Sequence, residues 1–336
     1  MLPFRHIGSQ ESIMRVDAST RLYQAIQGAR AVLFTGPMDP DGDSIGACLA
    51  LARAASAFSD ATLHVAGEAN YRYDWMPDAG TLLGDDALEA HYDLVVVMDG
   101  DRTRLTRQVT HLFEQAEVTA LVDHHRSSSA EGYDVVLLDP DSPSTCEMVA
   151  ALFSDWGVSL DAEMATHLYT GIIFDTGGFK HENTMSATHS LAAQLLDLGV
   201  EPAPVHAKVL HERTRGGLRL LGEVLGAARF FADGAVVVGV VTEEAVRRLG
   251  IASGDTEGIV DALLNTAGVE VAVLVKESGG RACRLSLRSK TRVNVAEIAR
   301  SLNEGGGGHV RAAGCRVPTD LTALMTRLPG VLEAAI

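Results

Sequence analysis

The sequence predicts an α/β protein in which a parallel sheet with helices on both faces is followed by a smaller α/β domain. Short, continuously apolar runs alternate with helical patterns through the first two hundred residues, which is typical of βαβ units. These runs are too short for core helices and suit buried parallel strands. The length of 336 residues favours about two domains, each able to bury its own core.

Five apolar runs are predicted as the parallel strands: Ala31–Phe34, Thr62–Val65, Leu94–Met98, Thr119–Val122 and Val135–Leu138. Four further segments have helical patterns: Ile45–Ala55, Cys146–Trp156, Glu163–Phe174 and Ala187–Leu198. Several strands lead into loops that carry acidic residues or histidines. Because open α/β sheets bind ligands beyond the carboxyl ends of their strands, we expect the functional site at that edge.

The alternating pattern loosens after Gly199, and a basic, helical stretch follows around His211–Arg219. We interpret residues 200–222 as a linker between a first domain at 15–199 and a second domain at 223–336. The second domain is predicted to contain the strands Val236–Val241, Glu270–Val275 and Arg281–Leu287 and the helices Ile259–Thr266 and Val295–Leu302. A glycine-rich turn, Gly305–Gly308, is expected after the last of these helices.

Composition excludes several classes of protein. With 28 Lys+Arg and 44 Asp+Glu the formal net charge is −16, which disfavours binding to long duplex nucleic acid. The 4 cysteines form no CxxC pair, so neither a zinc finger nor a disulfide scaffold is indicated. No apolar run approaches the ~20 residues of a membrane span. We therefore expect a cytoplasmic protein without membrane contact, and an unstructured leader that ends near Met14.

Acidic residues and histidines follow four of the predicted elements. They are Asp39, Asp41 and Asp43 after the first strand, Asp99 after the third, Asp123-His124-His125 after the fourth, and Asp175 after a helix. Each alone is explained as easily by a turn or a helix N-cap. Together they favour a metal centre, because carboxylates with one imidazole suit Mn²⁺ or Mg²⁺. Two such ions ~3.5–4 Å apart can activate water and stabilise a phosphoryl displacement.

Five sequence motifs resemble those of one known superfamily. DPDGDSIGA, VVVMDGD, VDHH and FDTGG occur in this order and resemble the successive motifs of the DHH phosphoesterases. The segment CRLSLRSKTRVNVAEIARSLNEGGGGHVRAAGC resembles the DHH-associated domain with its GGGGH signature. From about Arg15 to Leu328 the chain is similar to the bifunctional oligoribonuclease/pAp phosphatase (nanoRNase) group. The resemblance implies an active site in the cleft between the DHH domain and the DHH-associated domain.

The resemblance also implies a role for each motif residue. It implies two Mn²⁺ ions, with Mg²⁺ as the alternative: Asp41 would bind the first ion, Asp43, His124 and Asp175 the second, and Asp99 would bridge them. The resemblance assigns His125 to the scissile phosphate, and Asp123 is grouped with it as catalytic.

One position departs from the family pattern. The family has a histidine ligand of the first ion where this chain has Pro37, which cannot bind a metal. Asp39 is a candidate replacement, since its side chain would share a face with Asp41 in an extended segment. The competing interpretation is a weak or empty first site in a nucleotide-binding protein without turnover.

Residues for substrate binding are expected mainly in the second domain. Its candidates are Ser286, Arg288, Gly306, Gly307, Gly308, His309 and Arg311. Arginine can bind a phosphate in a bidentate way, and glycines let backbone N–H groups approach an anion. In the first domain Phe179 is a candidate for stacking on a base. The alternatives are a solvated basic strand, a flexible turn and a plain surface loop.

The implied function is the hydrolysis of short oligonucleotides by metal-activated water. The substrates would be nanoRNA and linear dinucleotides such as pApA or pGpG, and the activity would extend to the 3′-phosphate of pAp. The alternatives are a cyclic-dinucleotide phosphodiesterase and a metal-poor nucleotide sensor. Homodimerisation is implied by the resemblance alone.

Overall fold

The structure is a computed structural model that describes residues 9–252 and 254–336, with only the backbone described for residues 9–14. The chain divides into two units, the first ending at Glu212 and the second beginning at Arg213. This boundary falls within the stretch 200–222 that was predicted as a linker. Among the described helices, none is both long enough and apolar enough to cross a membrane.

The first unit is built on a six-stranded parallel sheet. Its strands are β1 (Ala31–Thr35), β2 (Thr62–Ala66), β3 (Leu82–Leu83), β4 (Leu94–Met98), β5 (Val118–Asp123) and β6 (Val135–Leu138). They lie in the order β3-β2-β1-β4-β5-β6, and every neighbouring pair is parallel. The order of connection therefore reverses between β1 and β4, and such a reversal opens a crevice at the carboxyl ends of the two strands.

Helices cover both faces of this sheet, as predicted. The helices of the unit are α1 (Ser9–Gly28), α2 (Gly42–Ala55), α3 (Arg107–Gln115), α4 (Thr145–Trp156), α5 (Ala162–Asp175), α6 (Ser186–Asp197) and α7 (Pro202–His206). Val32 and Phe34 of β1 join the core that includes buried residues of α1, α2, α4 and α5. Leu33, between them, joins a separate core with Val109 and Leu112 of α3. Alternate side chains of one strand thus enter opposite cores, because successive residues point to opposite faces.

Three sequence expectations for the first unit need correction. The strand predicted at Thr62–Val65 forms, but only Val65 is fully buried, because its outer neighbour β3 has just two residues. The leader expected to end near Met14 overlaps α1, which begins at Ser9, and residues 1–8 lie outside the described residues. The helix predicted around His211–Arg219 begins later, at Arg215.

The stretch predicted as a linker contributes to both units. Residues 200–212 contain α7 and a π-helical turn at Ala207–His211, and Val205 and Val209 are buried in the core of the first unit. The following helix, α8 (Arg215–Gly226), buries Leu220 in a core of the second unit. The division into domains at 15–199 and 223–336 with a linker at 200–222 stays a prediction.

The second unit has a mixed six-stranded sheet in the order β11-β12-β10-β9-β8-β7. Its strands are β7 (Arg229–Phe231), β8 (Val236–Val241), β9 (Val271–Ser278), β10 (Ala282–Ser289), β11 (Gly307–Gly308) and β12 (Ala312–Val317), and its remaining helices are α9 (Glu243–Leu249), α10 (Ile259–Leu264), α11 (Val295–Leu302) and α12 (Leu321–Glu333). Among the described strands of this unit, β8 and β9 form the one parallel pair. β8, β9, β10, α10 and α11 are predicted from the sequence, whereas the other three strands and the helices α9 and α12 are not.

The glycine-rich turn predicted at Gly305–Gly308 is partly a strand. Gly307 and Gly308 pair with Gly314 and Ala313 of β12. At Gly308, φ is +133°, and an added Cβ would lie 2.5 Å from the carbonyl oxygen of Ala312. Close packing of two backbones therefore requires glycine at this position.

Helices α2, α4 and α5 pack closely enough to require a glycine between them. An added Cβ at Gly171 of α5 would overlap the sulfur of Cys146 and lie 2.5 Å from Oδ1 of Asp43. Both of these residues are buried. The side chain of Asp43 thus takes its position from the packing of three helices.

A buried histidine in α5 makes the first unit sensitive to acid. His167 is 0% exposed, and neither ring nitrogen has a hydrogen-bond partner among the described residues. Its Nε2 lies 3.5 Å from Oδ2 of Asp78, which Arg53 contacts at 3.1 Å. Burial lowers the pKa of His167 to about 4, although the charge of Asp78 opposes this. The imidazole is therefore neutral in the folded protein at neutral pH.

We expect Gly171→Ala to lower the free energy of unfolding of the first unit by about 1–3 kcal/mol, because the methyl group overpacks a full core. Gly28→Ala is the matched control, since an added Cβ there meets nothing within 4 Å. That control should be neutral or slightly more stable. Urea titration at pH 7.5 measures both, and equal stabilities would contradict the close packing described.

We expect His167→Leu to reduce the loss of stability on acidification. The folded pKa lies below the unfolded value of about 6.5, so the unfolded chain takes up the proton first and stability falls between pH 6.5 and pH 4. From pH 7.5 to 4.5 the wild type should lose about 2–3 kcal/mol more than the variant. Urea titrations at the two pH values measure this difference, and parallel losses would show that His167 is not the sensitive group.

Candidate metal centre

The predicted motif residues lie where strands of the first unit end. Asp41 and Asp43 follow β1, Asp99 follows β4, and His124 follows β5. β1 and β4 are the two neighbours at which the order of connection reverses. Asp175 comes from another direction, as the last residue of α5.

Four of these side chains converge. The Nε2 atom of His124 lies 2.9 Å from Oδ2 of Asp175 and 3.5 Å from Oδ1 of Asp99. It lies 3.9 Å from Oδ2 of Asp43. One potential ligand atom from each residue is within 4.8 Å of all the others. The sequence expectation that widely separated acidic and imidazole groups meet in space therefore agrees with the geometry.

Asp43 is held by the beginning of α4. Its Oδ2 accepts the backbone N–H of Thr145 at 2.6 Å, and its Oδ1 accepts that of Cys146 at 2.9 Å. The first N–H groups of a helix have no partner within the helix, and they carry a partial positive charge. These groups stabilise a carboxylate that is 0% exposed.

Asp99 is oriented by two hydroxyl groups. Ser44 Oγ donates to its Oδ2 at 2.6 Å, and Thr145 Oγ1 donates to its Oδ1 at 3.3 Å. Asp99 has a φ of +59°, in the left-handed region that non-glycine residues rarely adopt. This backbone turns the buried carboxylate toward His124 at the end of the strand, and such strain is typical of functional positions.

The ring of His124 is fixed by its second nitrogen. Nδ1 lies 3.2 Å from the carbonyl oxygen of Ser142, to which it can only donate. Nε2 consequently faces the three carboxylates. Histidine ligands of metals are commonly oriented in this way, through a hydrogen bond from the other ring nitrogen.

The cluster carries an excess of negative charge. Burial raises the pKa of Asp43, and the charges of Asp99 and Asp175 raise it further. Burial acts to lower the pKa of His124, but the charge of Asp175 and hydrogen bonds to Asp175 and Asp99 outweigh this effect. The pKa of His124 therefore lies above its usual value. A divalent cation would relieve the crowding of like charges. Three carboxylates and an imidazole are donors that fit Mn²⁺ or Mg²⁺.

Asp123 and His125 form a second group next to the first. Oδ1 of Asp123 accepts the backbone N–H groups of His124 at 2.7 Å and His125 at 3.1 Å, and it lies 2.8 Å from Nδ1 of His125. Burial opposes protonation of His125, but the hydrogen bond to Asp123 and the charge of Asp99 outweigh it and raise its pKa. The imidazole of His125 thus has a fixed orientation and favours its charged form.

The structure does not bring Asp39 or Asp41 into the four-residue group. Asp41 is the N-cap of α2, where its Oδ1 accepts the backbone N–H of Asp43 at 3.0 Å and that of Ser44 at 3.1 Å. Asp39 is exposed. Neither belongs to a group of three or more potential ligands among the described residues. Their assignment to a first cation stays a prediction.

Phe179 lies in a strained turn directly after Asp175. Gly177, Gly178 and Phe179 have consecutive positive φ values of 58°, 70° and 68°. One side of the half-buried Phe179 ring packs on His189, with ring centroids 4.8 Å apart. Stacking of this ring on a base stays a prediction.

The substrate candidates of the second unit lie along two elements. Ser286 and Arg288 are on β10, and Nε of Arg288 lies 3.7 Å from Oδ1 of Asp261. Gly306, Gly307, Gly308, His309 and Arg311 span β11 and the loop to β12. Since packing against β12 accounts for glycine at position 308, the glycines alone do not indicate an anion site. Their role in binding stays a prediction.

Sequence reasoning missed three groups that build the centre: the hydroxyl of Ser44, the hydroxyl of Thr145 and the carbonyl of Ser142. Ser144 is the N-cap of α4, because its Oγ accepts the N–H of Glu147 at 3.1 Å. Thr145 is therefore available to Asp99. The sequence contains a signal for this role: two adjacent hydroxyl residues precede the predicted helix, only one of them can be its N-cap, and the other hydroxyl can bind a different partner.

Comparisons with known proteins agree with this architecture. The model of the DHH family, N-terminal domain, matches residues 31–172, and that of the DHHA1 domain matches residues 233–335. The chain is 30% identical over 289 residues to the bifunctional oligoribonuclease and PAP phosphatase NrnA of Thermus thermophilus, covering 82% of this chain and 81% of that protein.

Two further proteins are similar over most of the chain. The cyclic-di-AMP phosphodiesterase GdpP of Bacillus subtilis is 26% identical over 317 residues, which are 88% of this chain and 46% of that protein. The crystal structure of an exopolyphosphatase-related protein from Bacteroides fragilis superposes with a TM-score of 0.83 at 23% identity, covering 98% of both chains. The second likeness shows that the fold is shared.

We expect Thr145→Val to lower the free energy of unfolding of the first unit by about 1.5–3 kcal/mol, because a buried carboxylate oxygen loses a donor. Thr145→Ser keeps the hydroxyl and should retain most of the stability. Thr170→Val is the matched control, since Thr170 is buried and its hydroxyl donates to the carbonyl oxygen of Thr166 in its own helix at 2.8 Å. Urea titration of metal-free protein measures all three, and equal losses in the two valine variants would contradict a special role for Thr145.

Proposed function

Because this chain belongs to the DHH family and carries a DHHA1 domain, we propose that it is a metal-dependent phosphoesterase acting on short nucleic acids. Its substrates would be nanoRNA, linear dinucleotides such as pApA or pGpG, and the 3′-phosphate of pAp. The observation that supports this most directly is the convergence of Asp43, Asp99, His124 and Asp175 within 4.8 Å. The resemblance to the Thermus protein supports the substrate class.

The four converging residues would hold one divalent cation, and Asp99 together with Asp41 would hold a second. We propose Mn²⁺, with Mg²⁺ as the alternative, because the donors are carboxylates with one imidazole. Bound cations of this kind lower the pKa of water and stabilise charge on phosphoryl oxygens. The exposed Asp39 is the remaining candidate in place of the family histidine at position 37.

Asp123 and His125 would act on the phosphate itself. The hydrogen bond between Oδ1 of Asp123 and Nδ1 of His125, at 2.8 Å, fixes the imidazole and favours its charged form. Nε2–H of this ring would then donate to a non-bridging oxygen of the scissile phosphate. Such a donor stabilises the charge that develops on that oxygen in the transition state.

The second unit would bind the rest of the substrate. Ser286 and Arg288 on β10, with His309 and Arg311 beside the glycine strand, would contact a further phosphate and a base. Asp261 lies 3.7 Å from Nε of Arg288, so a substrate phosphate would compete with this carboxylate. We therefore propose that residues 15–199 catalyse the reaction and that residues 223–336 bind the substrate.

Two other functions have specific support. The similarity to a cyclic-di-AMP phosphodiesterase over 88% of this chain favours cyclic dinucleotides as a second candidate substrate. Pro37, in place of the family histidine, favours a nucleotide sensor without turnover as the second candidate class.

A substrate panel separates these candidates: pAp, pApA, pGpG, cyclic dinucleotides and a 24-nucleotide RNA, each with Mn²⁺ and with Mg²⁺. We expect release of nucleoside monophosphate from pApA with Mn²⁺, because the donors suit this ion. In His124→Ala we expect a loss of at least about 100-fold, since second-ion binding would be weakened. His111→Ala is the control, because this exposed histidine on α3 belongs to no group of potential metal ligands among the described residues.

Fastest cleavage of a cyclic dinucleotide would favour the alternative substrate. Nucleotide binding without turnover at saturating Mn²⁺ would favour the sensor. Fastest degradation of the 24-nucleotide RNA, or an unchanged rate in His124→Ala, would contradict the proposed function.

A further inference from the structure

One exposed arginine of the first unit lies beside the acidic cluster. Arg104 ends a short 3₁₀ turn at Arg102–Arg104, which follows β4 and Asp99. Its side chain lies over Gly100, the residue next to Asp99: an added Cβ at Gly100 would be 3.3 Å from Nη1 and 3.4 Å from Cδ of Arg104. The guanidinium is thus adjacent to the loop that presents Asp99.

The backbone of Arg104 also contacts the loop after β1. Its carbonyl oxygen accepts the N–H of Met38 at 2.8 Å, three residues before Asp41. Arg104 therefore joins the two acidic loops at the reversal point of the sheet. Its positive charge reaches Asp41, where it opposes the effect of burial and of the neighbouring acids on the pKa of that carboxyl.

The positive charge of Arg104 also acts on Asp101, but among the described residues the two side chains form no ion pair within 4.0 Å. The nearby Asp101 is occupied by other donors, since its Oδ1 accepts Thr103 N–H at 2.9 Å and its Oδ2 accepts Ser129 N–H at 2.9 Å. Within residues 9–252 and 254–336, Arg104 has neither an ion pair within 4.0 Å nor a side-chain hydrogen bond. Arg53, by contrast, contacts three acidic residues.

We propose that Arg104 binds a phosphate group of the substrate at the edge of the acidic cluster. This inference rests on the proposed function for its substrate class, a nucleotide phosphate. A guanidinium is always charged and binds a phosphate through two parallel hydrogen bonds. Without Arg104, the negative charges of the acidic loops would repel a phosphate on the side of the cluster near Pro37. Arg104 supplies a permanent cation at this place.

A neighbouring arginine provides a matched control. Arg102 is exposed and lies in the same turn, but its guanidinium lies against Gly132, where an added Cβ would be 2.9 Å from Nη1. Its backbone N–H donates to Tyr133 Oη at 2.7 Å. Loss of either arginine removes one surface charge, and only Arg104 lies over the loop of Asp99.

The test compares Arg104→Ala, Arg104→Lys and Arg102→Ala in the full chain. Calorimetry measures equilibrium binding of pAp and of Mn²⁺, and initial rates with pApA at saturating Mn²⁺ give KM and kcat. In Arg104→Ala we expect pAp affinity to fall and KM to rise about 10- to 100-fold, as for lost hydrogen bonds to a charged group. Mn²⁺ affinity should not fall, because the variant removes a positive charge near Asp41, and the melting temperature should be unchanged. Arg104→Lys should recover part of the pAp affinity.

The binding measurement separates this inference from the proposed function. If the wild type binds pAp without turnover and Arg104→Ala weakens that binding, the role of Arg104 holds while the catalytic proposal fails. If Arg104→Ala binds pAp as tightly as Arg102→Ala does, the inference is overturned whatever the rates. A wild type that binds no nucleotide overturns both.

Discussion

The centre depends on placing hydrogen-bond donors against buried carboxylates. Charges removed from water are costly unless they are paired or hydrogen-bonded, and like charges close together raise the cost. Each buried acid of the centre meets this requirement differently. Asp43 uses the first amides of α4, Asp99 uses two hydroxyls, and Asp123 uses the backbone that follows it. These donors fix the orientation of the three carboxylates.

The fold brings these groups together through two kinds of element. Parallel strands end at one edge, which places Asp99 and His124 side by side at the carboxyl ends of β4 and β5. Helices supply the remainder: α4 begins against Asp43, and α5 ends at Asp175. The chain continues from β1 toward β2 and from β4 toward β5, on opposite sides of this strand pair. Such a divergence of the connections leaves a crevice in which a ligand can bind.

The strands of this arrangement could be predicted from the sequence where they are continuous apolar runs. β4 was predicted to the residue because Leu94–Met98 is a continuous apolar run, and parallel strands imply that the loops after them share an edge. β12 was missed because its segment, AAGCRV, has small and charged residues and no apolar run. The hydroxyls of Ser44 and Thr145 were not recognised because their role depends on how α2 and α4 approach Asp99 in space. Similarly, the exposure of Asp39 follows from how the loop turns before α2, which spacing alone does not give.

Asp43 receives its two hydrogen bonds from backbone amides, which every residue type except proline can provide. Replacement of the side chains at the start of α4 therefore leaves these two bonds in place, provided that the helix begins at the same residue. An insertion or deletion in the preceding loop would instead move the amides themselves. Over evolutionary time, this part of the chain should tolerate changes of residue type more readily than changes of length.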